Sequence, residues 1–174
     1  MMGNWAATAL LLAVASGSAP AADGWLIRAR YQMGTIWTIQ ARGPGVETAV
    51  EAAFDEIDRI ERLLSTYRSD SEISRVNRQA GRAFVKVSPE TSGLLRRSLA
   101  YARESGGAFD PTVGPLVRAW GFKHRDYRVP TPSALARARR SVGYRRVEMD
   151  AVRGIRLARQ GMELDFGAIG KGYA

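Results

Sequence analysis

The chain has 174 residues, and its 26 lysines and arginines against 17 acidic residues give a net charge of +9. It contains no cysteine, which excludes a disulfide framework, thiolate chemistry and a lipidated cysteine anchor. Its single histidine, His124, excludes metal clusters built on histidine or cysteine. With no GxSxG motif in the sequence, a serine hydrolase is also nearly excluded. The chemistry that remains uses carboxylates, lysine, backbone groups and a bound metal.

Residues 1–22 carry no charged side chain and contain one apolar run, Ala6–Ala15, which is too short to span a bilayer as a helix. The triplet Ala19–Ala21 offers small residues at the two positions that a signal peptidase reads. We therefore predict a signal peptide over residues 1–21 and an exported, periplasmic protein. The alternative is an apolar N-terminal core segment. The remaining residues, 22–174, suit one domain.

Two elements are predicted first along the chain. Apolar residues alternate in the runs WLIRARY and TIWTIQA, which Gln32, Met33 and Gly34 separate, and this pattern predicts a hairpin between Trp25 and Ala41. Helical spacing then predicts an amphipathic helix, with seven apolar positions: Val46, Val50, Ala53, Phe54, Ile57, Ile60 and Leu64.

The second half of the chain contains further helix and strand signals. Ser69 and Glu72 could form a capping box for one short helical turn. A serine or threonine followed by proline begins each of two longer helices, predicted over residues 88–105 and 131–142. Three short runs, YRRVEMD, GIRLAR and MELDF, predict an antiparallel meander. The expected fold is α+β, with a hairpin and a meander packed on about three helices.

A basic cluster begins in the third predicted helix and continues just after it, and it could meet nucleic acid, anionic lipid or an acidic partner. A solvated basic face is the commoner explanation, and no aromatic residues alternate with the cluster as stacking on single strands would require. We therefore expect no nucleic-acid partner. The cluster consists of Arg137, Arg139, Arg140, Arg145 and Arg146.

The glycine-rich stretch DFGAIGKGYA, residues 165–174, raises the question of a phosphate-binding loop. A Walker loop needs four residues between its first glycine and the Gly-Lys pair, and a serine or threonine after the lysine. Only two residues separate Gly167 from Gly170, and Gly172 follows Lys171, so the Walker interpretation fails. A generic anion site and a structural turn both remain open. The FDPTVGPL stretch at residues 109–116 could likewise be a turn with no further role.

Taken together and in order, four motifs closely resemble the ApbE family, whose members are FAD:protein FMN transferases. The motifs are MGT at 33–35, STYRSDSEISRVN at 65–77, GGAFDPTVGPLVRAWGF at 106–122 and LDFGAIGKGYA at 164–174. The resemblance implies a magnesium-dependent enzyme that moves the FMN half of FAD onto a threonine hydroxyl of an exported electron-transfer protein and releases AMP. Such phosphoryl transfer depends on positioning and charge neutralisation.

The resemblance also implies roles for individual residues. Seven residues would bind FAD. Met33 would pack against the flavin ring, and Tyr67 would contact the cofactor through its ring or hydroxyl. The other five are Ala108, Phe109 and Asp110 in the third motif and Asp165 and Lys171 in the last. The main-chain carbonyl of Ala168 would be a ligand of Mg²⁺, which prefers oxygen donors. The catalytic residue stays unknown.

Family members continue beyond KGYA, and the resemblance implies that their later residues complete the metal site. We therefore expect residues 22–174 to be the N-terminal part of a transferase domain, inactive alone. Two alternatives stay open, a non-catalytic FAD-binding or flavin-carrying periplasmic module and a basic interaction domain. The expected partner is the acceptor flavoprotein subunit of an exported electron-transfer system.

Overall fold

The computed structural model describes residues 24–174, so the predicted signal peptide lies outside the described part of the chain. Strands β1 (Leu26–Gln32) and β2 (Thr35–Ala41) form the predicted antiparallel hairpin. Gln32 pairs with Thr35, which leaves Met33 and Gly34 as a two-residue loop. Both have positive φ, +50° and +75°, as the hairpin turn that matches strand twist requires.

The hairpin packs on helix α1 (Val46–Leu64), whose buried face matches the predicted helical spacing. Trp37 and Ile39 of β2 lie against the first half of this face. The second half belongs to the main core. The buried residues of α1 are Val50, Phe54, Ile57, Ile60 and Leu64.

Helices α2 (Glu72–Arg78) and α3 (Pro89–Glu104) follow. The predicted capping box is wrong by two residues, because the Oγ of Ser71, not of Ser69, accepts the hydrogen bond from the Ser74 N–H at 3.0 Å. Glu72 instead accepts from the N–H and hydroxyl of Ser88, the N-cap of α3. The side chain of one helix thus supports the start of the next.

An ion-pair network connects three helices. The Arg59 guanidinium of α1 donates two hydrogen bonds to the Glu90 carboxylate of α3, at 2.7 and 2.8 Å. This pairing holds the pKa of Glu90 below its usual value. The Tyr173 hydroxyl of α6 (Gly170–Tyr173) donates to the same carboxylate at 3.2 Å. The last described turn of the chain is therefore fixed to the first helix.

The C-terminal strands are only partly as predicted. Strands β3 (Val147–Asp150) and β4 (Gly154–Leu157) form an antiparallel pair. The third run, MELDF, is not a strand of this sheet, because Val85 occupies the other side of β4 through two hydrogen bonds with Ile155. The expected three-stranded meander is therefore wrong.

The MELDF run still buries alternate side chains, Met162, Leu164 and Phe166. Its backbone partners come from elsewhere: the Asn77 side chain bonds both the N–H and the carbonyl of Leu164. Glu163 forms an isolated parallel bridge with Val113. These contacts bring the run beside the FDPT loop.

Over residues 24–174 the fold is α+β, as expected, with three further short helices besides the three predicted long ones. The third predicted helix is α5 (Pro132–Arg140), and the short helices are α2, α4 (Gly114–Ala119) and α6. Single 3₁₀ turns occur at Phe122–His124 and Tyr144–Arg146. Within residues 24–174, no helix is both long and apolar enough to cross a membrane.

Candidate functional site

One open cavity of about 940 Å³ lies where the β1–β2 turn, the end of α1, the FDPT loop, the segment after α4 and the last glycine-rich turn meet. All eight residues that the sequence assigned to the site line this cavity. They are Met33, Tyr67, Ala108, Phe109, Asp110, Asp165, Ala168 and Lys171. Their individual roles toward FAD and Mg²⁺ stay predictions.

The β1–β2 turn places Met33 in the cavity wall in a backbone conformation that is unfavourable for a residue with a side chain. Its φ of +50° is left-handed, which costs about 1–3 kcal/mol in a non-glycine residue. The Glu61 Oε2 accepts the Met33 N–H at 2.9 Å, and the Gln32 side chain donates to the Phe54 carbonyl at 2.9 Å. Two hydrogen bonds to α1 therefore hold the turn in place.

The FDPT loop is organised by the Asp110 carboxylate. Its Oδ1 accepts hydrogen bonds from the N–H of Thr112 at 2.8 Å and from the Thr112 hydroxyl at 2.6 Å. Its Oδ2 accepts from the N–H of Tyr144 at 3.0 Å. The Thr112 hydroxyl in turn accepts from the N–H of Gly143 at 2.7 Å. Asp110 thus holds the loop together through three accepted hydrogen bonds and also lines the cavity.

The last glycine-rich turn is fastened to the FDPT loop. The Asp165 N–H donates to the Pro111 carbonyl at 2.8 Å, and Asp165 Oδ1 accepts the N–H of Gly167 at 2.7 Å. The Phe166 carbonyl accepts from the N–H groups of Ile169 and Gly170. Among residues 24–174, no hydrogen bond of this turn uses the Ala168 carbonyl, which is free for a ligand.

A glycine is needed where the MELDF run passes the start of α4. A Cβ added to Gly114 would lie 2.6 Å from the Cβ of Glu163, closer than side chains pack. At Gly170, a Cβ would lie 3.6 Å from the terminal methyl of Met33, which is an ordinary contact. The terminal motif therefore approaches the hairpin turn directly.

Tyr67 lies at the cavity rim and keeps 69% of its surface exposed. Partial burial raises the pKa of its hydroxyl, and the nearby Asp165 carboxylate raises it further. Tyr67 is neutral at pH 7, so it can donate a hydrogen bond or stack its ring on a ligand.

Among the cavity-wall side chains that the sequence reasoning missed are six that carry a charge or an aromatic ring. Glu61 carried no signal beyond its place in an amphipathic helix, and Tyr31 looked like an ordinary strand residue. The polar stretch KHRDYR, with its flanking phenylalanine, held a stronger signal, since three cationic and two aromatic residues lie within residues 122–128. The six residues are Tyr31, Glu61, Phe122, Lys123, Arg125 and Tyr127.

A metal ion would find only part of its coordination shell in the described residues. Residues 24–174 contain no group of three acidic or histidine side chains that could hold a metal. The cavity does offer oxygen donors of the type Mg²⁺ prefers, the Ala168 carbonyl and the Asp165 carboxylate. These residues fit a Mg²⁺ ion that a diphosphate and water would help to hold.

None of the five arginines of the basic cluster lines this cavity. Arg137, Arg139 and Arg140 are exposed on α5. The Arg146 guanidinium donates to the carbonyl of Arg140 at 2.8 Å, which closes the end of that helix. Arg145 lies over the ring of Tyr144. Part of the cluster is therefore structural.

A cavity of this size, walled by glycine turns, aromatic rings and cations, is typical of a protein that binds a nucleotide-sized ligand. The chain belongs to the ApbE family: the family model matches residues 33–174. The resemblance that the four motifs indicated is confirmed.

Relatives and solved structures agree with this assignment. A FAD:protein FMN transferase of Treponema pallidum is 36% identical over 156 residues, which cover 84% of this chain and 43% of that protein. One from Vibrio cholerae is 34% identical over 184 residues, covering 99% and 53%. The crystal structure of the ApbE protein of Thermotoga maritima superimposes with a TM-score of 0.80 at 29% identity, covering 86% of this chain and 49% of the other. The chain thus spans about half the length of the relatives it matches.

Proposed function

We propose that the protein is an FAD:protein FMN transferase and that residues 24–174 form one wall of its FAD site. The observation that carries this proposal is the gathering of all eight motif residues around a single cavity large enough for a dinucleotide. Four separate stretches of sequence supply them, and the fold brings them together. The relatives from Treponema pallidum and Vibrio cholerae that match this chain over about half of their own length are named FAD:protein FMN transferases.

The proposed reaction transfers the FMN half of FAD to a threonine of the acceptor. The threonine oxygen attacks the phosphorus on the FMN side, the bond from that phosphorus to the bridging oxygen breaks, and AMP leaves with that oxygen. The hydroxyl proton passes to a base that the described residues do not identify. Bound Mg²⁺ would supply neutralisation of charge on the diphosphate.

The chain's own residues would bind and orient FAD. Met33 would pack against the flavin through its polarisable thioether, and Tyr67 would stack or donate from the rim. Asp165 would accept hydrogen bonds from the cofactor, Lys171 would face its polar part, and the Ala168 carbonyl would ligate the metal. The FDPT loop would close the remaining side, with Asp110 held in place by its own backbone bonds.

We further propose that the protein acts in the periplasm on an exported electron-transfer flavoprotein. Because the described residues offer only a partial set of metal ligands, we propose that transfer requires groups beyond this half of the family's length. The seven FAD contacts predicted from the motifs, in contrast, all lie in the described residues.

Two measurements test the proposal. Equilibrium titration followed by flavin fluorescence should show that the chain binds FAD, and that Lys171→Gln or Asp165→Asn weakens binding. The transfer assay mixes protein, FAD, Mg²⁺ and an acceptor with the target threonine, and detects covalent flavin by fluorescence in a denaturing gel. A threonine-to-alanine acceptor is the control. Unchanged FAD affinity in both variants would overturn the site assignment. If a protein extended to the full length of its relatives binds FAD but does not transfer FMN, a flavin-binding module is favoured instead.

A further inference from the structure

The segment that links α4 to the next helix forms part of the cavity, although the family motifs assign it no role. The segment is residues 120–131, and four of its twelve residues line the wall: Phe122, Lys123, Arg125 and Tyr127. The segment is a closed turn, since the N–H of Asp126 donates to the Gly121 carbonyl at 3.0 Å. The rings of Phe122 and Tyr127 meet edge to face, with centroids 5.5 Å apart. The turn therefore presents two cations between two aromatic rings.

The acidic groups of the cavity do not neutralise these cations. Glu61, Asp110 and Asp165 each accept hydrogen bonds from N–H groups of the chain. Within residues 24–174, no salt bridge includes Lys123 or Arg125. An uncompensated pair of positive charges in a partly enclosed wall attracts an anion more strongly than the same pair on an open surface.

Neighbouring arginines show the contrast. Arg128, in the same segment, pairs with the Asp126 carboxylate. Arg118 of α4 pairs with Glu163. Neither of these two arginines lines the cavity. Within this segment, Arg128 is therefore neutralised and does not line the cavity, whereas Lys123 and Arg125 line the cavity and have no ion-pair partner among the described residues.

The turn also reaches across to the hairpin. The Arg125 guanidinium donates a hydrogen bond to the Tyr31 hydroxyl at 3.2 Å, joining residues 94 positions apart. Four aromatic side chains around this contact are exposed, from 52% for Phe122 to 69% for Tyr67, with Tyr31 and Tyr127 between them. Exposed rings that converge on one cavity indicate a surface that a ligand covers. A ligand with planar rings and a dianionic group between them satisfies both the rings and the cations.

We propose that Lys123 and Arg125 bind the diphosphate of the flavin dinucleotide and that the surrounding rings cover its planar ends. This inference rests on the proposed function and names two binding residues for it. The Arg125 fork suits two phosphate oxygens, and Lys123 adds a second, flexible charge. An acidic surface of the acceptor protein is the competing ligand for the same cations.

The test compares charge-removing variants with a matched control. Lys123→Gln and Arg125→Gln remove the charge and keep a polar side chain, and Arg128→Gln removes an arginine of the same segment that does not line the cavity. Each protein is titrated with FAD, ADP and riboflavin by fluorescence or calorimetry. We expect each cavity variant to weaken FAD and ADP binding about tenfold, the scale of one charge-assisted contact to phosphate. Riboflavin, which has no phosphate, should bind as it does to the unmodified chain.

Further arms separate the possible explanations. Compared with Arg125→Gln, Arg125→Lys should recover part of the FAD affinity, because lysine restores the positive charge but not the paired N–H donors of the guanidinium. Equal FAD affinity in Arg125→Gln and Arg128→Gln would overturn the inference, and so would an equal loss for riboflavin and FAD. If a variant binds FAD normally but labels the acceptor more weakly, Lys123 and Arg125 bind the acceptor protein and not the diphosphate, which would also overturn the inference. If the unmodified chain binds FAD, these failures leave the proposed function standing; if it binds no flavin, both fall.

Discussion

Removing the Thr112 hydroxyl should reduce both the stability of the fold and the order of the cavity. Thr112 is fully buried, donates to the Asp110 carboxylate at 2.6 Å and accepts the N–H of Gly143 at 2.7 Å. In Thr112→Val the shape is kept and both bonds are lost. Losing a hydrogen bond to a charged group costs about 1.5–3 kcal/mol, and leaving an N–H without an acceptor about 1–3 kcal/mol. We expect the free energy of unfolding to fall by about 2–5 kcal/mol.

Thermal unfolding followed by circular dichroism measures this loss, and Thr112→Ser is the control because it keeps the hydroxyl and removes one methyl group. For a chain of this size the valine variant should unfold roughly 5–15 °C lower, and the serine variant only a few degrees lower. FAD affinity should also fall in the valine variant at a temperature where it is folded, since Asp110 loses one of its three bonds. If valine and serine variants unfold together, the hydrogen-bond network does not organise the loop and this reasoning fails.

Three other predictions concern single contacts around the site. Glu61→Ala should weaken FAD binding several-fold, because the left-handed turn at Met33 loses its acceptor; unchanged binding would mean that the turn holds itself. Gly114→Ala should lower the unfolding temperature, since its methyl would meet the neighbouring segment at 2.6 Å; full stability would show that the two segments separate easily. Glu90→Gln should destabilise at pH 7, and this effect should shrink as the pH falls below 4.5. The Arg59 pairing lowers the folded pKa of Glu90, so its stabilisation is present above 4.5 and is lost as the pH falls through the folded pKa; denaturant unfolding at a series of pH values checks this.

Local signals predicted the parts of the fold that local physics decides. The helical spacing of apolar residues found α1 and its buried face, and a serine followed by proline found the start of α3. The hairpin followed from alternation around Met33-Gly34. In each case the determining residues lie within a few positions of one another, so the sequence alone carries the information.

The third C-terminal strand failed for the opposite reason. MELDF alternates as a strand does and buries the expected side chains. It does not pair with β4 because Val85 already occupies that edge of the strand. Its backbone instead bonds to the side chain of Asn77, 87 positions away in the sequence. Neither contact leaves a trace in the local pattern.

The same distinction explains which site residues were found. The eight motif residues could be assigned because a resemblance supplied roles that spacing alone did not. Tyr31, Lys123 and Arg125 belong to no assigned motif position, and only the fold shows that a strand residue and a loop 94 positions later face one cavity. Charge without a partner, combined with position in the wall, is the signal that identifies them.

The two interpretations of the glycine-rich turn and of the FDPT loop, structural turn or binding site, turn out not to compete. The Asp165 N–H donates to the Pro111 carbonyl, so each loop fixes the backbone of the other. Asp110 uses both carboxylate oxygens on N–H groups of the chain and still faces the cavity. Because backbone N–H groups of Thr112 and Tyr144 hold this carboxylate, it is already oriented before a ligand arrives, which lowers the entropic cost of binding. Substitutions here should therefore change stability and FAD affinity together. Lys123 and Arg125 form no ion pair among the described residues, and Arg125 makes one exposed hydrogen bond to Tyr31, so their substitution should change affinity far more than stability.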